Sequence, residues 1–343
     1  AYEIPKRDWS SDVCSSDLMK LVREDRMPIR FGYTHYFGFE GNSNPSAFYL
    51  RLGDMAGLGT PYFYQTGVGL QNIDGGPPTI CTTMEAPAEV KVREWCRVEP
   101  GNLMAQAVYT VIRSRQRLTI GHAYGDKGPS NVMDIIDQVM KDDHSITKDY
   151  IKSRRFTSDH CGFYPRPAQL PRMAKLGIAI SCGGRVIPRS APWLKVYGET
   201  GANQIATVRS ALNAGVLATA EGEFQVEDGD SETILAQYLP LVTRTTDWGK
   251  VVAKHEAVDR NTLLKMMTSW GSKFVLKEKQ LGSLTPGKFG DFVVMNKDYF
   301  AVPEKDLGTV YPVMTVLGGK TIALREEFAK EINEKAVGPQ LKL

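Results

Sequence analysis

The stretch GSLTPGKFGDFVVMNKD (282–298), with VYPVMTVLGGKTI (310–322) after it, decides how the end of this chain folds. Gly282, Pro286, Gly287 and Gly290 are turn-forming residues that break the chain at short intervals. Phe292, Val293 and Val294 make a short apolar run, and Val313 to Leu317 make a second that stops at Gly318-Gly319. Apolar runs bounded in this way read as strands. A small β-unit is therefore predicted over 281–325, followed by a charged tail over 326–343.

Upstream of that unit the pattern changes to alternation. Strand-like runs occupy 29–37, 62–70, 117–123, 154–162, 177–184 and 215–223. Between them lie helical patterns at 46–58, 103–116, 129–143, 168–177, 203–215, 231–242 and 261–276. The clearest is PSNVMDIIDQVMKDD (129–143). Its Val132, Ile135, Ile136, Val139 and Met140 fall on one stripe at helical spacing. Strands alternating with helices predict parallel β-α units. Six such units fit an incomplete α/β barrel of the (β/α)₈ type over 19–280, corresponding to strands three to eight of eight. An open doubly wound sheet is the competing architecture. It lacks the G-x-G-x-x-G turn that such sheets use for dinucleotides, and a nucleotide-dependent enzyme is disfavoured for the same reason.

Composition narrows the partners. With 42 basic and 39 acidic residues the net charge is +3, too balanced to suggest a nucleic-acid partner. No apolar run reaches the roughly 18 residues a membrane-spanning helix needs. Residues 1–18 read as a foreign leader: DWSSDVCSSDL matches the translation of a common sequencing adapter, so these residues are set aside from fold reasoning. The remaining cysteines, Cys81, Cys96, Cys161 and Cys182, form no C-x-x-C pair. That argues against a zinc ribbon and a disulfide scaffold, and buried thiols are expected.

The closing segment resembles the C-terminal signature of the amidohydrolase superfamily, most closely its family-3 branch, in which "GSL-x-PGK-x-ADLVVLD" precedes "V-x-TVVGGK". The resemblance extends from about residue 29 to residue 322. HAYGD, beginning at His122, resembles the family's "HA-x-GD" motif, and RRFTSDHCG (154–162) resembles its "R-x-x-IEHA" strand. The resemblance implies that His122 and His160 are metal ligands at the ends of the fifth and sixth barrel strands. Neutral imidazole on a rigid strand end suits zinc. Asp126 would orient the turn after His122 or support a ligand. In AGVLATAEGEF (214–224) Glu223 takes the position of the family's catalytic aspartate, with Glu221 and then Asp228 as fallbacks. Arg185 and Arg189 follow a strand and are candidates to clamp a substrate carboxylate, while Tyr124 and Trp193 are candidate pocket walls. His35 reads as packed, and His144 and His255 as surface residues.

The family often places a bridging lysine at the end of its fourth strand, and 62–78 has none. Asp74 is the ionisable residue there, so one divalent ion, zinc by preference, is expected. The implied reaction is hydrolysis of a C–N bond other than a peptide bond, on a small-molecule substrate, by a metal-activated water. The altered last strand keeps a second reading open, a catalytically inactive relative that binds a small molecule. This chain by itself is expected to be inactive, because the family's first-strand H-x-H pair does not occur in it.

Overall fold

In the computed structural model the described residues are 12–36, 53–70, 73–75, 80–88, 96–222 and 233–340. A helix, α1 (Asp12–Arg23), precedes the first strand. Six parallel strands follow: β1 (Phe31–Tyr36), β2 (Phe63–Leu70), β3 (Leu118–Ile120), β4 (Thr157–Ser158), β5 (Ala179–Gly183) and β6 (Ala218–Glu221). They pair strictly in chain order, β1-β2-β3-β4-β5-β6. A doubly wound sheet reverses its strand order at a switch point. Unbroken sequential order is what a barrel wall requires, so the curled sheet is an incomplete TIM-type barrel.

Helices α2 (Leu103–Arg113), α3 (Lys127–Asp142), α4 (Lys148–Arg154), α5 (Leu170–Leu176), α6 (Ala191–Ala202) and α7 (Val208–Asn213) connect the strands after β2. Beyond β6 come α8 (Ile234–Thr243), α9 (Arg260–Met267) and α10 (Ser269–Phe274). The stripe on α3 is real but slightly rotated. Val132, Met133, Ile136 and Val139 are buried, and Ile135 and Met140 pack on the core from its margin. Asn102 caps α2 by accepting the Ala105 amide at 2.9 Å, which satisfies one of the donors that every helix start leaves without an intrahelical partner.

Several expectations need correction. Residues 53–58 form a turn rather than the end of a helix, and 46–52 lie outside the described residues. Of 203–215 only α7 is helical. The 261–276 helix is split at Thr268, whose φ of −120° and ψ of −93° no α-helix accommodates. Helices α4 and α6 were not anticipated. The cysteines are paired, Cys81 with Cys96 and Cys161 with Cys182, where buried thiols were expected. Spacings of 15 and 21 residues carry no local signal for this pairing. The Cys161–Cys182 pair arises because the barrel sets β5 beside the end of β4.

The C-terminal unit forms as predicted, with one more strand. β7 (Phe292–Met295), β8 (Pro312–Leu317) and β9 (Lys320–Leu324) make an antiparallel meander, and α11 (Glu326–Glu331) starts the tail. Arg30, just before β1, ties this unit to the barrel. Its Nε and one Nη donate to the two Asp291 carboxylate oxygens at 2.5 and 2.8 Å, and its guanidinium lies 4.1 Å from the Phe289 ring centroid. Burial works to raise the Asp291 pKa, but the bonds from Arg30 and from the Gly318 amide overcome it and hold the carboxyl below its ordinary value.

A folded-state pKa held down stabilises the fold above the unfolded value of about 4, and that contribution disappears as pH falls through the folded pKa. We expect Asp291→Asn to cost about 1–2 kcal/mol at pH 7, at the low end for a charge-assisted pair because the site is partly solvated. Urea titrations at pH 7 and pH 3 check this. The deficit of the variant should shrink at pH 3, and an unchanged deficit would show that the pair does not set it.

Candidate metal centre

The residues of interest gather at the C-terminal ends of the barrel strands, the end where such folds carry their chemistry. His122 lies two residues past β3 and His160 two past β4. Their ring centroids are 4.9 Å apart, near perpendicular. Both take left-handed backbone conformations, with φ of 56° and 66°, and Cys161 follows at 55°. Such values are uncommon outside glycine and cost free energy, so surrounding contacts must enforce them.

Those contacts begin with Asp74. Its side chain is fully buried, yet its carboxylate meets a ring of amides: Tyr124 N at 3.1 Å, Gly125 N at 2.7 Å and Cys81 N at 3.4 Å. The Asp74 carbonyl oxygen lies 3.0 Å from His122 Nδ1. A carbonyl can only accept, so Nδ1 carries the proton and the neutral ring presents its lone pair on Nε2. Gly125 permits the turn to lie this close, since a Cβ there would fall 1.9 Å from the Cys81 carbonyl oxygen. On its other side the turn receives the Phe163 amide on the Tyr124 carbonyl at 2.6 Å, which links it to the His160 loop.

His160 is oriented by an acid. Its Nδ1 is 2.5 Å from Glu221 Oε1, and its backbone amide donates to Oε2 at 3.1 Å. Ser181 on β5 donates its hydroxyl to Oε2 at 2.5 Å. Burial pushes the Glu221 pKa up, but the bonds from His160 and Ser181 prevail and hold it below the ordinary carboxylate value. With Glu221 ionised, Nδ1 of His160 is the protonated nitrogen, as in His122. Asp159, next to His160, behaves in the opposite way: burial drives its pKa up to about 7, the Glu221 charge adds to this, and His160 opposes it.

Asp159, His160 and Glu221 can each offer a ligand atom within 4.8 Å of the others. With the His122 ring alongside, this set of imidazole nitrogen and carboxylate oxygen has the chemistry of a divalent transition-metal site. Beside it opens a cavity of about 130 Å³. Tyr124, His160, Glu221, Arg185, Arg189 and Trp193 are among the residues that line it. The Tyr124 ring packs 4.7 Å from His160 and 5.5 Å from Trp193.

An amidohydrolase family model matches residues 21–323. The chain belongs to the amidohydrolase family. Among solved structures it is similar to an uncharacterised metal-dependent hydrolase from Pyrococcus horikoshii OT3, at 17% identity and a TM-score of 0.65, over 84% of this chain and 55% of that one. A second, from Pyrococcus furiosus, has 19% identity and a TM-score of 0.58, over 80% and 52%. A mutant of atrazine chlorohydrolase from Arthrobacter aurescens TC1, complexed with zinc and atraton, has 14% identity and a TM-score of 0.53, over 90% and 64%. This amidohydrolase chain thus spans about half the length of the Pyrococcus hydrolases it matches. No curated protein matches it.

The positions predicted from sequence divide clearly. His160, Tyr124, Arg185, Arg189 and Trp193 line one cleft, and the His122 ring packs against His160 behind it. Glu223 and Asp228 lie outside the described residues, and the carboxylate at His160 is Glu221. Asp126 does not touch His122. It accepts from the Thr82 hydroxyl at 2.6 Å and the Thr83 amide at 3.0 Å, so it anchors the 81–84 segment against the start of α3. His35 lies on β1 beside Tyr33, and His255 is 61% exposed. Sequence reasoning missed the role of Asp74, and the signal available was an acid placed just after a strand with only glycines following it. Ser181 gave no signal.

Two substitutions test the Asp74 cradle. Asp74→Asn places an amide group among backbone donors and should lower unfolding free energy by about 2–4 kcal/mol. Gly125→Ala should be at least as damaging, since the Cys81 backbone cannot move away cheaply. Denaturant titration of both variants measures this, and a loss below about 0.5 kcal/mol for Asp74→Asn would contradict the role assigned to the carboxylate.

Proposed function

We propose that this chain carries the metal-binding end of a hydrolase that cleaves C–N bonds other than peptide bonds in small molecules. The observation that carries the reading is the pair of imidazoles 4.9 Å apart at the C-terminal mouth of the barrel sheet, each with Nδ1 engaged. His122 and His160 would hold one divalent ion through Nε2. Zinc is the ion named for the atrazine chlorohydrolase to which this chain is similar in fold, and the nitrogen and oxygen donors here suit it. Such an ion, when bound, lowers the pKa of water to roughly 7 and polarises a carbonyl.

The protein's own groups supply the rest. Asp74 and Glu221 fix the two rings, so that both Nε2 atoms are presented in one tautomer. Glu221 has about four acceptor sites, and three are taken by His160 Nδ1, the His160 amide and Ser181. Glu221 meets His160 at Nδ1, on the ring edge away from Nε2, so it would hold that ring and its tautomer and leave the proton-transfer role to another group. The proton-transfer role that the sequence pattern gives to Glu223 belongs to a position outside the described residues. Tyr124 and Trp193 wall the cavity and keep bulk water from its polar side. No observation favours the alternative of an inactive binding protein.

Metal analysis of the purified protein after zinc loading and dialysis provides the test. The parent should retain about one zinc per chain, and His122→Ala and His160→Ala should each lose most of it. Glu221→Gln should loosen the His160 ring and weaken zinc retention by about tenfold to hundredfold. Unchanged zinc content in both histidine variants would overturn the proposed site.

A further inference from the structure

Each histidine of the candidate centre has a disulfide beside it. Cys161 directly follows His160 and is joined to Cys182 on β5. Cys81 donates its amide to the Asp74 carboxylate at 3.4 Å and is joined to Cys96. The two bridges differ in access. Cys161 and Cys182 are both fully buried. Cys81 is fully buried too, but Cys96 is half-buried and lines an open groove of about 600 Å³ with Arg97, Asn102 and Met104. Thiol–disulfide exchange requires a thiolate to reach a sulfur, so access decides which bridge opens first.

The Cys81–Cys96 bridge joins two segments, 80–84 and 96–99, that contain no helix or strand. Both grip the surroundings of Asp74. On one side the Cys81 carbonyl accepts the Lys127 amide at 3.1 Å, at the start of α3. On the other the Arg97 amide donates to the Ile73 carbonyl at 3.1 Å, and the Val98 carbonyl accepts from the Asn131 side chain at 2.6 Å. Ile73 and Asp74 in turn donate their amides to the Gly121 and His122 carbonyls at 3.2 and 3.4 Å. Segments held by hydrogen bonds outside any helix or sheet ladder open at low free-energy cost, and here the covalent link keeps the two together. The path from the groove to the metal ligand is short: Cys96, Cys81, Asp74, then His122 Nδ1.

We propose that Cys81–Cys96 is a thiol-reducible switch on the metal centre. A small thiol entering the groove at Cys96 opens the bridge, the Asp74 cradle loosens, and His122 loses its fixed tautomer and its hold on an ion. Two thiols balance the step. The first, as thiolate, attacks Cys96 Sγ; the S–S bond breaks, and Cys81 leaves as a thiolate that takes a proton. The second attacks the reductant's sulfur in the mixed disulfide, which frees Cys96 as a thiol and releases the reductant as its own disulfide. Both electrons come from the small thiols. The loss of metal rests on the two-histidine reading of the site, whereas the opening of the cradle does not.

Reduced glutathione is the probe. The protein is exposed to it for graded times, free thiols are capped with iodoacetamide, and peptide mapping scores each cysteine. Cys81 and Cys96 should be capped about tenfold faster than Cys161 and Cys182. The Tyr124 and Gly125 amides, which donate to Asp74, should exchange hydrogen about tenfold faster in the reduced protein. Zinc affinity, measured against a chelator after the thiol is removed under argon, should fall about tenfold to hundredfold and return on reoxidation. Cys96→Ser should show the reduced values from the outset and no further response to glutathione. If that variant does not fold, the reduced and reoxidised parent carry the comparison. A bridge that glutathione leaves intact, prior opening of Cys161–Cys182, or an opened Cys81–Cys96 bridge with unchanged amide exchange or undiminished zinc binding would each overturn the switch. Faster exchange at Tyr124 and Gly125 in a protein that binds zinc in neither state would uphold the opening of the cradle and count against the metal reading.

Discussion

One buried carboxylate governs the geometry of the candidate centre. Asp74 is removed from water, and the amides of Cys81, Tyr124 and Gly125 offset the cost of burying its carboxylate. Those amides belong to the segment after β2 and the turn after β3, so a single carboxylate joins two strand ends. The same residue's carbonyl sets the His122 tautomer. Once the 122–125 turn is fixed, its Tyr124 carbonyl receives Phe163, and the loop bearing His160 is placed in turn. The left-handed conformations of both histidines follow from this chain of contacts.

The opposite end of the barrel uses buried cations instead. Arg117 enters β3 from below with 1% exposure and donates to the carbonyls of Thr66 and Phe274 at 2.5 and 2.6 Å, and to Arg155 at 3.0 Å. Burial lowers its pKa to about 9, with Arg155 and Arg154 adding repulsion, yet it stays charged at neutral pH. Arg244 performs a similar task at α7 and α8, donating to Ile205, Ala206 and Val252 carbonyls. Guanidinium suits these places because its five donors can satisfy several carbonyls at once without a counter-ion. Arg244 sits toward the histidine end, because the Ala206 amide also donates to the Gly162 carbonyl two residues after His160, so buried cations brace both ends of the sheet.

Legibility in the sequence follows the range of the interaction. All six parallel strands and the first two strands of the terminal meander announce themselves by apolar runs and turn residues, which are local signals. The stripe on α3 is local too, although Met133 replaces Ile135 at its centre. His122 and His160 were readable because each closes a strand inside a recognisable motif. The cysteine pairs, the Asp74 cradle and Ser181 depend on neighbours far away in the chain, and no periodicity encodes them. Helix α6 was missed because Gly198, at φ 58° and ψ −149°, interrupts its pattern. The choice between Glu221 and Glu223 could not be made from residue spacing, since both fall on the same face of a strand with period two.

Strand order explains why a glutamate serves at the end of β6. Glu221 lies on β6 and His160 follows β4, with β5 between them. Two inter-strand steps amount to about 9–10 Å, a long reach for a side chain. Two residues of β5 make it possible. Gly183 pairs directly with Glu221 and has no side chain to obstruct it; a Cβ there would already touch Oε1 at 3.6 Å. Ser181, two residues earlier on the same face, braces Oε2 midway. An aspartate at 221 would fall a methylene short of His160 Nδ1 and would leave the Ser181 hydroxyl without its acceptor. The longer acid, the glycine and the serine are therefore one arrangement.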